Sequence, residues 1–257
     1  MRAPDELKAI VEDHLEQLEL WPELHGQEES ARYAFLEMGG KRIRPVICLA
    51  VGEVIGAEPE QVLPAAVALE LVHNFSLVHD DLPSLDDDEE RRGKPSVWAA
   101  YGEGKALLAG DALLAEAFRL AASYSSSAVV RELAEATLGM IGGQYLDTME
   151  PGTDLETVHR LKTGRLFYAS VTLALQAAEL PAQAQRSWRS FADELGMLFQ
   201  VVDDILDGDG FVLALGVDGA RRRADDAAAR ARAALDQVDG DTSVLAEIVD
   251  ELAVRTA

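Results

Sequence analysis

The sequence is poor in cysteine, aromatic residues, positive charge and long apolar runs, and each shortage excludes a class of protein. Its single cysteine, Cys48, excludes an internal disulfide and favours a reducing compartment, so we expect a cytoplasmic protein. No segment approaches the roughly eighteen unbroken apolar residues of a membrane span. The first residues, Met1 to Glu6, lead into a charged amphipathic stretch, and we expect neither a signal peptide nor a membrane span.

Positive charge is also scarce. Lysine and arginine together number 23, against 46 aspartate and glutamate residues, which gives a formal net charge of −23. A chain this acidic repels nucleic acid, and we expect no nucleic-acid partner. It can still bind an anion wherever a metal ion or a local basic cluster reverses the sign of the potential.

What the sequence does contain is a helix-forming composition with helical periodicity. Hydrophobic residues make up 48% and aromatic residues only 6%, and Ala, Leu, Glu and Arg are abundant, which favours helix over sheet. Apolar residues recur at three- and four-residue spacing, as in Leu7–Leu18 and Val62–His73, without sustained alternation. We therefore predict an all-α protein, a single domain over 1–257 with about ten or more helices around one core. Breaks are predicted at glycine and proline sites, including Pro83, Pro151–Gly152 and Gly208–Gly210.

The first acidic cluster runs from His79 to Glu90 and follows a strongly apolar helix over 66–78. Pro83 is expected to end or kink that helix, which places Asp80 and Asp81 at a helix C-terminus. The helix macrodipole disfavours negative charge there, so carboxylates at that position indicate a bound cation. This reasoning favours Asp80 as a metal ligand, whereas residues 87–90 are equally consistent with an acidic surface loop.

The second acidic cluster is Asp203-Asp204-Ile205-Leu206-Asp207, on a helix that is apolar nearly all round. Such a helix belongs in the centre of a bundle. The i, i+4 spacing puts Asp203 and Asp207 on one face, with Gln200 one turn earlier, and like charges at that spacing destabilise a bare helix. A divalent ion between them reverses this effect, and ligands that are all oxygens fit magnesium better than zinc or iron.

Three basic segments complement the acidic clusters. Gly39-Gly40-Lys41-Arg42-Ile43-Arg44 is a glycine turn that leads cations into a helix start, which suits either an anion site or a plain surface turn. Arg91-Arg92-Gly93-Lys94 is equally consistent with balancing the charge of the first acidic cluster. Lys162-Thr163-Gly164 adds a cation and a hydroxyl, while His73 is by default a core histidine. Together the segments fit two diphosphates, one held through metals and one held directly by lysine and arginine.

In this order the segments resemble the trans-isoprenyl diphosphate synthases, or polyprenyl synthetases, and in particular their short-chain farnesyl and geranylgeranyl types. The resemblance runs from about Tyr33 to Leu235, and the ordered set is specific where any single motif is only suggestive. The motifs that carry it are Gly39–Pro45, His79–Asp86, Arg91–Pro95, Gly110–Ala112, Gly142–Asp147, Lys162–Gly164 and Phe199–Asp207.

The resemblance implies helices around a deep central cavity and a magnesium-dependent prenyltransferase. The implied reaction joins isopentenyl diphosphate to an allylic diphosphate, dimethylallyl or geranyl, and releases diphosphate. The resemblance further implies about three Mg²⁺ ions per site, for which Mn²⁺ is expected to substitute, and a homodimer.

The same resemblance implies roles for individual side chains. Asp80, Asp86 and Asp203 would hold the metals, with support from Asp81, Asp204 and Asp207. The allylic diphosphate would be contacted by Arg91, Lys162 and Gln200, and Thr163 and Gln200 would lie along the reacting carbons. The isopentenyl diphosphate would be bound by Gly40, Lys41, Arg44, His73 and Arg92.

Product length is expected to depend on Phe75 and Ser76, which precede Asp80 by about one helical turn. In the resembled family, the residue five positions before the first aspartate often acts as the floor for the growing chain. A bulky Phe75 favours a fifteen-carbon product, farnesyl diphosphate, although ordinary core packing explains the residue equally well. Geranylgeranyl diphosphate is the alternative product.

The sequence departs from the resembled family after Asp207. Family members carry a longer loop there, with further lysines that touch the allylic diphosphate. Here Gly208-Asp209-Gly210 leads almost directly into Phe211, and no lysine follows Lys162. Either the loop is absent from the protein or residues are missing from the sequence. We expect missing residues, because the flanking helices still match and such a loop is often mobile; a true deletion puts full activity in doubt.

Two other functions were weighed. A class I terpene cyclase shares the helical bundle, but its second metal motif mixes Asn, Ser or Thr with Glu, and it has no use for Lys41, Arg44 and Arg92. A non-catalytic subunit of a heteromeric prenyl synthase is the alternative from another class. Such subunits typically lose aspartates, whereas both clusters are intact here.

Overall fold

The computed structural model describes residues 1–150 and 152–254, and within them the protein is almost entirely helical, which confirms the all-α prediction. The break predicted at Pro151 and the last three residues of the predicted domain lie outside the described residues. The α-helices are α1 (Pro4–Gln17), α2 (Glu28–Arg32), α3 (Ile43–Val54), α4 (Pro59–Asp80), α5 (Val97–Tyr101), α6 (Glu103–Ala121), α7 (Ser127–Met149), α8 (Leu155–His159), α9 (Arg165–Ala177), α10 (Arg186–Asp207), α11 (Gly210–Leu215), α12 (Val217–Leu235) and α13 (Ser243–Val254). Short 3₁₀ turns cover Pro22–Gln27 and Ala182–Gln185, and π-helical turns cover Tyr33–Glu37 and Arg160–Gly164.

A small hairpin interrupts the helical architecture in the described part of the chain. Its antiparallel strands are β1 (Glu90–Arg91) and β2 (Lys94–Pro95). The turn residues Arg92 and Gly93 have φ values of 54° and 77°, as a two-residue hairpin turn with both central residues left-handed requires. Strands of two residues are too short to show an alternating pattern, which is why the sequence did not predict them.

Helix α4 lies in the core and carries the first acidic cluster at its end. It buries Val62, Leu69, Val72 and Val78, residues that point in different directions around its axis. Among the described helices, α4 alone has the length and composition of a possible membrane span. Since 67% of its apolar 18-residue window is buried inside the protein, these features match those of a core helix.

The chain reverses immediately after α4, as Pro83 predicts. The helix ends at Asp80, and the loop that follows folds back over its C-terminus. The backbone N–H of Asp86 donates to the carbonyl of Asp80 at 2.9 Å, and that of Asp88 donates to the carbonyl of Asp81 at 3.1 Å. These bonds satisfy carbonyls that a helix end leaves free, and they bring Asp86 back beside Asp80.

Two glycines allow neighbouring helices to pack closely against the π-helical turn Arg160–Gly164. A Cβ on Gly143 of α7 would lie 2.2 Å from the backbone nitrogen of Lys162, and a Cβ on Gly196 of α10 would lie 3.3 Å from the Cα of Gly164. The turn is therefore held between α7 and α10 by backbone contacts. This packing fixes the positions of Lys162 and Thr163.

Helix α10 packs on α9 and α12. Its middle is buried at Leu195, Leu198 and Val201, which fits the predicted central position. Its C-terminal end is not central, because Leu206 is 58% exposed. The predicted central position is thus right for the middle of α10 and wrong for its last turn, where Asp207 also faces solvent.

The connection after α10 consists of Gly208 and Asp209 alone. Gly208 adopts the left-handed conformation, and both residues donate their backbone N–H groups to the carbonyl of Asp204. The Asp204 side chain accepts a bond from the Phe211 N–H at 2.7 Å, which caps α11. Hydrogen bonds therefore close the turn between α10 and α11. Our expectation that residues are missing from the sequence at this point stays a prediction.

Candidate functional site

The main cavity has a volume of about 400 Å³ and lies between α4, α7 and the π-helical turn. Predicted site residues from three separate segments line it: Arg44, His73, Phe75, Ser76, Asp80, Lys162 and Thr163. The rest of its wall is largely apolar and includes Met140, Ile141 and Leu166. The structure therefore brings together an acidic group, cations and an apolar pocket that are up to about 120 positions apart in sequence.

Asp80 is the carboxylate of the first cluster that faces this cavity. Its pKa is raised to about 6, mainly by burial; the neighbouring Asp86 adds to the rise, and Lys162 and Arg91 oppose it. A carboxylate held in this environment is destabilised by its own charge unless a cation joins it. Asp86 lies on the exposed side of the same turn.

Asp81, the next residue, is bonded to protein instead. Its buried carboxylate accepts bonds from Arg91 Nε at 2.8 and 2.9 Å and from Arg91 Nη2 at 2.5 Å. Burial raises the pKa of Asp81 despite these bonds. Asp81 therefore takes up the Nε and Nη2 donors of Arg91. The resemblance assigned Arg91 to the allylic diphosphate. To bind that ligand, Arg91 would have to release Asp81 or use its remaining N–H groups.

The second acidic cluster divides between two faces of α10. Burial, and then Asp207, raises the pKa of Asp203, while Lys41 and Arg44 lower it. Arg44 also lines the main cavity with Asp80. Asp203 does not itself line that cavity, but it lies near enough to Arg44 for the guanidinium to lower its pKa. Asp207 shares the helical face of Asp203 at i, i+4.

Gln200 and Asp204 face elsewhere. Gln200 Nε2 donates to Asp204 Oδ1 at 2.8 Å, and His159 Nδ1 lies 3.6 Å from Asp204 Oδ2. Consecutive helical residues are about 100° apart, so Asp204 cannot share the face of Asp203. Gln200 lines a second cavity and is absent from the lining of the main one. The spacing of the motif did not reveal this division.

Arg44 is the cation best placed to receive an anion in the main cavity. Its side chain is buried, and within residues 1–150 and 152–254 its Nε atom has no hydrogen-bond partner. The guanidinium lies over the rings of Phe167 at 4.5 Å and Phe199 at 5.9 Å. Burial lowers its pKa to about 10, so it stays charged at neutral pH. A buried, charged donor without an acceptor indicates an anionic ligand.

The other predicted groups for the isopentenyl diphosphate lie around Arg44. Arg92 donates to the carbonyl of Gly39 and lies against Gly40, where a Cβ would be 3.1 Å from its Nη1 atom. Burial lowers the pKa of His73 well below its ordinary value, and Arg44 adds to the effect, so the imidazole is neutral. Lys41 is exposed and lines a separate cavity of about 220 Å³, although it lies near enough to Asp203 to lower its pKa.

Lys162 and Thr163 reach the main cavity from the π-helical turn. The Lys162 ammonium forms an ion pair with Asp147 of α7 and lies near Asp80, whose pKa it lowers. The Lys162 ammonium therefore lies between Asp147 and the carboxylate of Asp80 whose pKa burial raises.

Two features of the site were not predicted from the sequence. Gln144 lines the main cavity, and its Oε1 atom is buried without a partner among the described residues. It belongs to the motif Gly142–Asp147, which we used only for the resemblance. Arg42, in the basic turn, is instead structural: it has φ of 53° and bonds Glu12 at 3.0 Å and Glu70 at 2.7 Å.

The acidic side chains fit a magnesium site assembled around a ligand. Among the described residues, no three His, Cys, Asp or Glu side chains form a ready metal cluster. The carboxylates form two pairs, Asp80 with Asp86 and Asp203 with Asp207, each close enough for mutual repulsion. An all-oxygen set of this kind suits Mg²⁺, which keeps several positions for water and phosphate oxygens. The individual metal and substrate roles stay predictions.

Comparison with known proteins agrees with this geometry. The profile of the polyprenyl synthetase family matches residues 27–216. The geranylgeranyl diphosphate synthase of Cyanophora paradoxa is 42% identical over 194 residues, which cover 70% of this chain and 64% of that protein. The farnesyl diphosphate synthase of Bacillus subtilis (strain 168) is 41% identical over 193 residues, which cover 68% and 64%.

The fold has counterparts among solved structures. A geranyltransferase from Legionella pneumophila has a TM-score of 0.89 and 31% identity, and the match covers 98% of this chain and 96% of that one. The chain spans a little less than two thirds of the length of the curated relatives it matches. The family profile matches most of the chain and so identifies the family: the chain belongs to the polyprenyl synthetases.

Proposed function

We propose that this protein is a short-chain trans-prenyltransferase that condenses isopentenyl diphosphate with dimethylallyl or geranyl diphosphate. The observation that carries the proposal is the buried guanidinium of Arg44, whose Nε atom has no partner among the described residues and which shares one cavity with Asp80 and Lys162. This arrangement offers a direct cationic contact to one diphosphate and a carboxylate site for the other. We propose farnesyl diphosphate as the product; geranylgeranyl diphosphate, the product named for the Cyanophora relative, is the alternative.

The chain's own side chains fit the demands of this reaction. Breaking the allylic carbon–oxygen bond leaves charge on the departing diphosphate, which Lys162 is placed to neutralise. The isopentenyl double bond then attacks the allylic cation, and the proton lost from the new product goes to the departing diphosphate. The apolar wall at Phe75, Met140 and Leu166 excludes water that would quench the cation.

Magnesium would be held by Asp80, Asp86 and Asp203, and when bound it would add positive charge at the departing diphosphate. Asp207 would support the second site. Asp81 is bonded to Arg91 and Asp204 to Gln200. We propose that these two carboxylates orient the metal-binding segments and do not contact the metal themselves. The number of ions and the replacement of Mg²⁺ by Mn²⁺ are part of the same proposal.

The activity is tested with the purified chain alone, dimethylallyl diphosphate, isopentenyl diphosphate and Mg²⁺. We expect release of diphosphate and formation of an allylic product, both lost on chelation of the metal. A folded protein that releases no diphosphate under these conditions contradicts the proposal and favours a non-catalytic subunit.

Phe75 is proposed as the floor for the growing chain. It lines the main cavity with Ser76 and packs edge-on against His79, with ring centroids 4.8 Å apart. Replacement of Phe75 by Ala removes the ring, so longer products are expected by chromatography. Phe191→Ala, a fully buried core position outside the cavity lining, controls for lost packing. Unchanged product length in Phe75→Ala removes the assignment.

A homodimer is part of the proposal. Leu138, Ile141, Tyr145 and Met149 form one stripe along α7, and each is at least 43% exposed. Three of them also line the main cavity, so a second copy against this stripe would close the cavity wall and bury the apolar surface. The proposed cytoplasmic location rests on the single, buried Cys48.

The dimer predicts a difference between two exposed leucines. Leu138→Asp places a charge in the stripe and is expected to shift the protein to monomers in sedimentation velocity experiments. Leu213→Asp, at a position 79% exposed on α11, is expected to leave association unchanged. Equal sedimentation of the two variants argues against this interface.

A further inference from the structure

A second cavity of about 410 Å³ lies between the π-helical turn, α10 and α12, and shares no lining residue with the main cavity. Four arginines line it, and we name it the arginine cavity: Arg160, Arg165, Arg223 and Arg230. Its other polar lining residues include Gln200, His159 and the carboxylates Glu156, Asp193 and Glu194. Its volume falls within the range of small-molecule sites, about 300–1,000 Å³. We propose that the arginine cavity binds a small anion that also carries a hydroxyl donor, such as the phosphate ester of a polyol.

The donor requirement comes from Gln200, which is 7% exposed. Its amide orientation is fixed, because the atom that faces the Asp204 carboxylate at 2.8 Å must be the NH₂ group. The Oε1 atom is therefore an acceptor, and it is buried without a partner in the described part of the chain. An acceptor buried in this way lacks a donor, and a hydroxyl group of a ligand supplies one.

The anion requirement comes from the arginines. Arg223 bonds Glu156 at 2.7 Å through Nη2, yet its Nε atom is buried without a partner among residues 1–150 and 152–254. Arg230 is paired with Glu194. Arg160 and Arg165 form no ion pair with any described residue, although both lower the pKa of Asp193, which burial raises. Two uncommitted guanidinium groups and one free N–H therefore face the cavity, and guanidinium groups favour phosphate and carboxylate ligands.

The arginine cavity borders two elements of the main site. The π-helical turn presents Lys162 and Thr163 to the main cavity and Arg160 and Gly164 to the arginine cavity. Helix α10 likewise presents Asp203 on one face and Gln200 on another. A ligand that orders this turn would therefore change the affinity of the main cavity for its own ligands, and the effect would be reciprocal.

The experiment is a calorimetric titration of the folded chain with three probes: glycerol 3-phosphate, sulfate and glycerol. Glycerol 3-phosphate carries both required groups, whereas sulfate lacks the donor and glycerol lacks the charge. We expect glycerol 3-phosphate to bind with a Kd of about 1 mM or tighter, and the other two at least about tenfold more weakly, since each loses one set of charge-assisted or neutral hydrogen bonds.

The variant R160Q/R165Q removes both uncommitted charges and is expected to weaken glycerol 3-phosphate binding at least about tenfold. The matched control R221Q/R222Q removes two exposed charges from α12 outside the cavity lining and is expected to change binding less than twofold. Both variants replace exposed side chains, and circular dichroism checks that each is folded.

Three results overturn the proposal. They are no binding of glycerol 3-phosphate to the wild type, equal affinity for sulfate, and binding that R160Q/R165Q leaves unchanged, which would place the ligand in another site. Because the titration does not depend on turnover, its failure is separate from failure of the proposed prenyltransferase activity.

Discussion

Replacement of Asp80 by Asn is expected to abolish turnover and, at the same time, to make the metal-free protein more stable at pH 7. Turnover should fall by about a hundredfold to a thousandfold, because the variant loses a proposed metal ligand at the point where charge develops. Stability should rise because the folded state holds this carboxylate at a pKa of about 6, above its ordinary value of 3.8. Most single substitutions destabilise a protein, so a rise in stability together with a loss of turnover would be informative.

The sign of the pH dependence follows from proton binding. Between pH 3.8 and about 6 the folded state binds more protons at Asp80 than the unfolded state does. Stability from this group therefore falls as pH rises through that window and stays reduced above it. The penalty at pH 7 is on the order of 1–3 kcal/mol, and Asp80→Asn removes it.

The measurements are urea unfolding of the metal-free protein at pH 5 and pH 7, and steady-state kinetics with Mg²⁺. Asp87→Asn, on the exposed loop nearby, is the matched control and should change neither quantity much. Loss of activity in Asp80→Asn together with loss of stability would indicate a structural role and contradict the assignment.

Substitution of Gly143 by Ala is expected to lower kcat/KM by about a hundredfold, from a position that touches no substrate. The added Cβ would lie 2.2 Å from the Lys162 nitrogen and 2.6 Å from its Cα atom. Both are backbone atoms, so the π-helical turn must move and take Lys162 and Thr163 with it. The gain in helix propensity, about 1 kcal/mol, is smaller than the cost of overpacking, which is about 1–3 kcal/mol or more.

Gly142→Ala supplies the control for this prediction. A Cβ at Gly142 meets nothing within 4 Å, so the same change one residue earlier gains helix propensity without a clash. We expect its kcat/KM to match the wild type and its thermal midpoint to rise slightly. If both variants keep full activity, the position of the turn does not control catalysis.

Much of the site was predictable because helical spacing and charge are local properties of the sequence. The apolar run before Asp80, ended by Pro83, gave the position of the first carboxylates. The basic turn that leads to Arg44 and the Lys162–Thr163 segment were predicted as groups that bind an anion. The main cavity brings these segments together.

What spacing does not fix is which face of a helix meets the cavity. Asp203 and Asp204 are adjacent, yet one lies near Arg44 and the other is bonded to Gln200 and to the Phe211 N–H. Which of the two aspartates is bonded in this way depends on the packing of α11, because the Phe211 N–H that Asp204 accepts belongs to α11. The position of α11 depends in turn on the two-residue connection at Gly208. In the same way, the pairing of Asp81 with Arg91 depends on the β1–β2 hairpin, whose two-residue strands are too short to show an alternating pattern in the sequence.

The bonds of Arg42 connect the first helix of the chain to the proposed isopentenyl site. A non-glycine residue in the left-handed conformation costs roughly 1–2 kcal/mol, and acceptors on Glu12, Glu70 and the Phe35 carbonyl offset this cost. Glu12 belongs to α1, so that helix serves as a brace behind the loop that presents Arg44. Natural variation at Glu12 would then alter substrate affinity from a helix that never meets the substrate.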